Sequence, residues 1–462
     1  MTMSKTIQVA PRVIAAIVAT GLLTFSGIIV ETSMNIAFPT LMRDFNVPTD
    51  QVQWMTSAYL LVIAIIVPTS AYLKQSYPMK RLFVVANLLF SSGIFIDGLA
   101  INFSMLLVGR IVQGLGTGIA LPLMFNIILE QVPKERLGLM MGIGNLIPGI
   151  GPALGPTFGG IVVTQLGWRA VFFSLVPVLV VSLGLGIWGI QQSSALEQTQ
   201  LDWGSLLLII LLFVGFVTGF VNLTNNAFLS WQVGGMLLLG CLGLMGLFSH
   251  TFRIERPLLD LRLFKHRRFS CLILMFFLTQ MCSLGLAFLL PNYIQLANHQ
   301  SAFLAGVIVL PAGLGGALAA PIGGRLLDRK GPFLPIVSGE SLMLLSLVGL
   351  LSLGAVKTSW AIGLVYIFYM AGMGMSMGCI MTTSLSGLDH QSQAQGNAIL
   401  NTLQQFAGSM GTSLIAMIVA QAQLNHSSQL GTQIGTLHGY LLLIISSVII
   451  LGTGLVTLRK TN

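Results

Sequence analysis

Apolar stretches of about twenty residues recur along the whole chain, and this recurrence restricts the fold more than any other feature. Fourteen can be delimited, at 13–36, 52–73, 82–101, 104–128, 139–163, 169–190, 204–222, 233–252, 269–294, 302–324, 333–354, 359–384, 395–419 and 437–457. At 1.5 Å per residue each is long enough to cross a hydrocarbon layer of roughly 30 Å as a helix. A spanning segment must satisfy its own backbone hydrogen bonds, so helices are the expected form. Composition agrees, with 55% hydrophobic and only 8% charged residues. A soluble domain carries about 25% charged residues, so this chain cannot coat a globular surface. We expect an all-α polytopic membrane protein of fourteen spans, with no appended soluble domain.

The cations set the expected topology. With the N-terminus in the cytoplasm, eighteen of the 22 Lys and Arg residues fall on the inner side. Three lie outside (Arg43, Arg169, Lys357) and one within a span (Arg110). That asymmetry places both termini in the cytoplasm and accounts for the net charge of +9 without a nucleic-acid partner. The first span is too long for a cleaved signal h-region and runs on into ETSMNIAFPTL. All four cysteines lie in spans without a CxxC pair, so they read as small packing residues. The histidines sit at span ends or in loops without ligand spacing, so neither metal nor cofactor is expected.

Polar and flexible residues inside the spans are the candidate functional groups. Residues 148–160 read PGIGPALGPTFGG, five glycines and three prolines in thirteen residues. Within hydrocarbon such a run lets another backbone approach closely and can bend, so it is a packing seam or a gating seam. A charge near the bilayer centre costs roughly 2.5–3.5 kcal/mol on insertion scales, so buried charges are rare. Glu31 in span 1, Arg110 in span 4 and Asp97 near the end of span 3 come to similar depth in the outer half. Glu31 reads as a proton carrier tuned by Arg110, with a static ion pair as the other reading. Arg110 serves either coupling or the joining of spans 1 and 4, and Asp97 is expected to face the outer interface. Glu340, about 10 Å into span 11 by helical rise, reads as a second proton site or a partner for a cationic substrate. It could equally reach the interface or pair with Arg325 or Arg329.

Span 13 carries Asn397, Asn401, Gln405, Ser409 and Thr412 at spacings of three or four, on one helical face. Amides in hydrocarbon need partners, so this face is expected to look into a wet central cavity. Asn35, Trp54, Tyr59 and Gln113 are further cavity candidates.

Two short basic turns, SAYLKQSYPMKRLF (70–83) and PIGGRLLDRKGPF (321–333), recur about 250 residues apart. They suggest two six-span bundles, residues 1–192 and 255–462, with a two-span insert at 193–254. The charged segment ERPLLDLRLFKHRRF (255–269) reads as an interfacial linker into the second bundle.

GRLLDRKG (324–331), LLVGRIVQGLGTG (106–118) and GPALGPTFGG (151–160) stand in fixed order within this topology. QWMTSAYLL (53–61), GWRAVFF (167–173), LDWGS (201–205) and LPNYIQ (290–295) accompany them. Together they resemble the fourteen-span drug:proton antiporter branch of the major facilitator superfamily, over nearly the whole chain. The resemblance implies the major facilitator fold, proton-driven export of amphipathic small molecules across the cell membrane, and a monomer. It also implies gating roles for Pro152, Gly155, Pro156, Gly159 and Gly160, and for Asp328 and Arg329. The first-half loop departs from the family pattern, with Gln75 for the usual Asp and Pro78 for the usual Gly. In the family that Asp helps latch the cytoplasmic side. Span 1 offers Glu31 where Asp is usual. No Walker motif or ATPase domain is present, and no nucleophile or metal triad marks an enzyme. The alternative within transport is an exporter dedicated to one metabolite, one antibiotic such as a tetracycline, or a lipid-linked substrate.

Overall fold

The structure, a computed structural model, describes residues 9–47, 49–193, 195–197, 200–222, 226, 228–254, 257–354 and 358–459. Some helical side chains within these ranges lie outside the description, among them Asn35, Pro152, Pro156 and Ser409, all named above as candidates.

Sixteen α-helices make up fourteen passes among the described residues. The first half consists of α1 (Pro11–Phe45), α2 (Thr49–Ile66), α3 (Ser70–Ser76), α4 (Met79–Gly98), α5 (Phe103–Gln131), α6 (Leu137–Leu166), α7 (Trp168–Phe173) and α8 (Val176–Gly189). A 3-10 turn fuses α2 and α3 into one pass, and α7 and α8 form another. Then come α9 (Trp203–Asn222) and α10 (Met236–Thr251), the latter opened by a π-helical turn at Trp231–Gly235. The second half is α11 (Arg267–Leu296), α12 (Ala302–Lys330), α13 (Phe333–Leu353), α14 (Ser359–Ser386), α15 (His390–Asn425) and α16 (Ser428–Leu458). Each of the fourteen apolar stretches is one pass. Thirteen have the length and apolarity of a membrane span among the described residues. α6 is the fourteenth, an unbroken 30-residue helix through the Gly-Pro run.

Helix ends follow the chemistry of their borders. The side chains of Asn102, Ser301, Asp389 and Ser427 accept from backbone N–H groups of the first turns of α5, α12, α15 and α16. Gly331 and Gly354 end α12 and α13 at positive φ. Pro122, Pro291, Pro311 and Pro321 lie inside helices, as membrane helices allow.

Fourteen passes bring the start of α1 and the end of α16 to one face, called the terminus face. One hydrophobic core fills the first half and takes in residues of the second half only from the terminus-face ends of its helices, among them Phe276, Ile336, Met377, Leu400 and Ile450. Toward the opposite face the second half has separate cores of its own, built around residues such as Met281, Met343, Tyr369 and Leu443. The two halves are therefore joined on the terminus face. The linker joins this core too, because Leu258, Leu259 and Leu263 are buried in it.

α9 packs on α10 and also touches α2 and α15, so it spans the seam between the halves. Phe216 and Phe220 of α9 meet Phe406 of α15 at 5.1 and 6.0 Å between ring centroids. At the terminus face Asp202 clasps the pair: it accepts from Ser205 and lies 3.0 Å from His250 Nε2. Burial would raise the Asp202 pKa, but the bonds from Ser205 and His250 outweigh it and hold the carboxyl below its ordinary range. The clasp thus stabilises above the ordinary carboxylate pKa and is lost as pH falls through the folded value.

Candidate functional site

The first half gathers its charges around Arg110. Its guanidinium is fully buried, with Nε donating to the Met55 carbonyl at 3.2 Å and Nη1 to Gln113 Oε1 at 2.6 Å. Its Cζ sits 4.1 Å from the centre of the Tyr59 ring, and the Tyr59 hydroxyl donates to Thr117 at 3.0 Å. Glu31, Asp97 and Tyr59 all lie within its electrostatic reach, yet neither carboxylate forms an ion pair with it within 4.0 Å. Arg110 Nη2, Gln113 Nε2 and both Asp97 carboxyl oxygens are buried without hydrogen-bond partners. Unpaired buried polar atoms cost about 1–3 kcal/mol each, and more when charged. This cluster is therefore poised and under-satisfied, unlike a closed static ion pair.

Asp97 departs from expectation. It does not face the interface but is 0% exposed. Gly109 makes this possible: a Cβ there would lie 2.0 Å from Asp97 Oδ1, so only glycine lets α5 seat that carboxyl.

The turn of α1 that carries Glu31 also forms the seam with α6. Ser33 Oγ donates to the Gly155 carbonyl at 2.8 Å. A Cβ on Gly155 would lie 1.7 Å from Thr32 Oγ1, and one on Gly159 would lie 2.7 Å from the Ser33 backbone. Gly160 faces open space, with nothing within 4 Å.

Among the described residues, two sets of hydrogen bonds join the halves at the terminus face. Asp328, at the end of α12, accepts from the N–H groups of Gly138 and Leu139 at 2.9 and 3.0 Å. These are orphan donors of the first turn of α6, whose own N-cap residue Arg136 supplies no side-chain bond. A helix of the second half thus caps one of the first. The backbones approach closely there, since a Cβ on Gly324 would lie 2.3 Å from the Gly138 carbonyl oxygen. Arg329 lies beside Asp328 at the exposed helix end. The first-half copy is held otherwise: Lys74 pairs with Glu130 at 2.5 Å, and the Gln75 carbonyl accepts from the Glu197 N–H at 3.0 Å.

The second contact is an amide chain. Asn397 donates to Asn126 Oδ1 at 2.9 Å and to the Pro122 carbonyl at 3.3 Å, and Asn401 donates back to Asn397. Asn397 and Asn401 are fully buried, so they bridge α15 to α5 rather than line an open cavity. Gln405, one turn on, is half-buried, and Trp54 is 47% exposed near the start of α2. Tyr59 and Gln113 belong to the Arg110 cluster. Asn126 and Glu130 were missed in the sequence. Each is a polar residue within an otherwise apolar run, LPLMFNIILEQ, and that was the available signal.

Glu340 neither reaches the interface nor pairs with Arg325 or Arg329. It is 1% exposed, and its Oε1 accepts from Thr279 at 3.1 Å. No metal-holding group of side chains occurs among the described residues.

Comparison with known proteins agrees with this architecture. The model of the Major Facilitator Superfamily matches residues 20–412. The lincomycin resistance protein LmrB of Bacillus subtilis is 34% identical over 428 residues, covering 92% of this chain and 88% of the relative. The multidrug resistance protein B homolog of Mycobacterium tuberculosis is 30% identical, covering 87% of this chain and 75% of the relative. The crystal structure of the human organic anion transporter MFSD10 (TETRAN) superposes with a TM-score of 0.66 at 13% identity, covering 96% of this chain and all of that one.

Proposed function

The chain belongs to the major facilitator superfamily, a multi-pass membrane transporter rather than an enzyme, and from that premise we propose a proton-coupled exporter of amphipathic drugs. The terminus face is cytoplasmic in this reading, and the protein works as a monomer in the cell membrane. Residues 1–192 and 255–462 are the two rocking bundles, and 193–254 is the insert. The observation that carries the reading is the Arg110 cluster, in which Arg110 and Asp97 keep unpaired polar atoms and Glu31 lies within electrostatic reach. A proton arriving at Glu31 changes the field at Arg110, and Glu31 sits on the α1 turn whose neighbours lock into α6. Protonation and helix movement are thereby linked on one turn. Similarity to proteins named for lincomycin and multidrug resistance supports drug export as the outcome.

Cells expressing the protein are expected to accumulate less ethidium than controls, with the difference abolished by a proton uncoupler. Uncoupler-insensitive exclusion of the dye would overturn proton coupling.

The Asp328 cap favours the conformer closed on the terminus face, because the cap exists only while α12 touches α6. In Asp328→Asn the amide accepts only one of the two N–H bonds and brings no charge to the α6 N-terminus, a loss of about 1 kcal/mol, so this variant should shift the population severalfold toward the inward-open state. Gln75→Asn should be nearly silent. Cysteine labelling of the terminus-face cavity reads both, and equal labelling of wild type and Asp328→Asn would remove the latch.

A further inference from the structure

A polar layer crosses the second half between its two cores. On α13, Ile336 belongs to the core shared with the first half and Met343 to the separate one, with Glu340 between them. α11 repeats the pattern, with Thr279 and Gln280 between Phe276 and Met281. On α14 Ser376 lies between Tyr369 and Met377, and on α16 Ser446 and Ser447 lie between Leu443 and Ile450. Four helices thus place polar groups at one level, inside an apolar bundle.

The layer is incomplete. Glu340 Oε2, Gln280 Oε1 and Tyr369 OH are buried without hydrogen-bond partners. The groups acting on Glu340 are Thr279 and Cys282 from α11 and Ser376 and Tyr369 from α14; among the described residues no Lys, Arg or second carboxylate faces it. A carboxylate charged and buried without a cation is very costly, whereas a protonated one is neutral and adds an O–H donor to a layer that holds the unpaired acceptor Gln280 Oε1.

We propose that Glu340 and its polar layer form a second proton-binding site, separate from the Arg110 cluster, so that two protons enter for each monocation expelled. This rests on the proton-coupled export reading and adds its stoichiometry. Protons held at Glu31 and at Glu340 in the outward-facing state are both released to the cytoplasm, and one net positive charge moves inward per cycle. Transport of a monovalent cation then responds to membrane potential, which a one-proton exchanger would not do.

Proteoliposomes loaded with ethidium separate the cases, with a pH gradient or a valinomycin-imposed potassium potential applied alone. In wild type either gradient should drive efflux, and the steady ethidium gradient should grow tenfold for each ~59 mV, interior negative. Glu340→Gln should keep the response to pH and lose the response to potential, while Glu340→Asp keeps both. Wild-type efflux driven by pH but indifferent to potential overturns the second site and leaves the export reading intact. Efflux driven by neither overturns the export reading itself. An equal response to potential in Glu340→Gln assigns the extra charge elsewhere and overturns the proposal. Dicyclohexylcarbodiimide, which attacks protonated carboxyls in apolar surroundings, gives a test on the unmutated chain. Mapped by mass spectrometry, Glu340 labelling should fall as pH rises; no labelling, or labelling at every pH, overturns an exchanging site.

Discussion

Glu31→Gln is expected to lower the substrate gradient that an imposed pH step can sustain about tenfold, while leaving expression and substrate counterflow largely intact. The amide keeps the shape of the side chain and removes its titration. One coupled proton is worth about 1.4 kcal/mol per pH unit, a tenfold substrate gradient. Loss of that proton should therefore cut the attainable gradient about tenfold under one imposed pH unit. The Arg110 cluster should survive, because the Arg110 hydrogen bonds go to the Met55 carbonyl and Gln113, not to Glu31. Paired measurements of gradient-driven efflux and counterflow decide the matter. A variant that pumps like wild type at neutral pH would move the coupling role to Asp97 or Glu340.

The helices were legible because the bilayer imposes one requirement on every pass, an apolar stretch that bonds its own backbone. Side-chain placement was less legible, and the misses share a cause. Asp97 sits near a helix end and so reads as interfacial, but its burial depends on a missing Cβ at Gly109 on the next helix. The face of α15 reads as cavity lining, because periodicity shows that a face is polar but not what meets it. Asn126, 271 residues from Asn397, turns the first part of that face into a contact between halves. The absence of Asp at Gln75 was plain in sequence, whereas the pairing of Lys74 with Glu130 in the same region was not. The resemblance marked Asp328 for a gating role, whereas the α6 donors that it caps emerge only from the fold.

Gly155→Leu and Gly159→Leu are expected to stop transport without altering insertion or topology. At Gly159 the obstruction is the Ser33 backbone at 2.7 Å, which no rotamer change can clear, so α1 and α6 must separate. At Gly155 the nearest atoms belong to the Thr32 side chain, with Oγ1 at 1.7 Å and Cβ at 2.6 Å. Thr32 is itself tied back by a 2.8 Å bond to the Ile28 carbonyl. Overpacking of this kind costs about 1–3 kcal/mol. Here the strain falls on the α1 turn that carries Glu31, so it should damage coupling more than stability. Two comparisons make the claim specific. Gly160→Leu should transport nearly as wild type, since nothing lies within 4 Å of that position. Thr32→Ala should partly rescue Gly155→Ala but not Gly159→Ala, because only the first obstruction is a side chain. Efflux rates measured at matched membrane expression give the answer. Unchanged efflux in both leucine variants, or equal damage from Gly160→Leu, would show that this seam is ordinary packing rather than a moving contact.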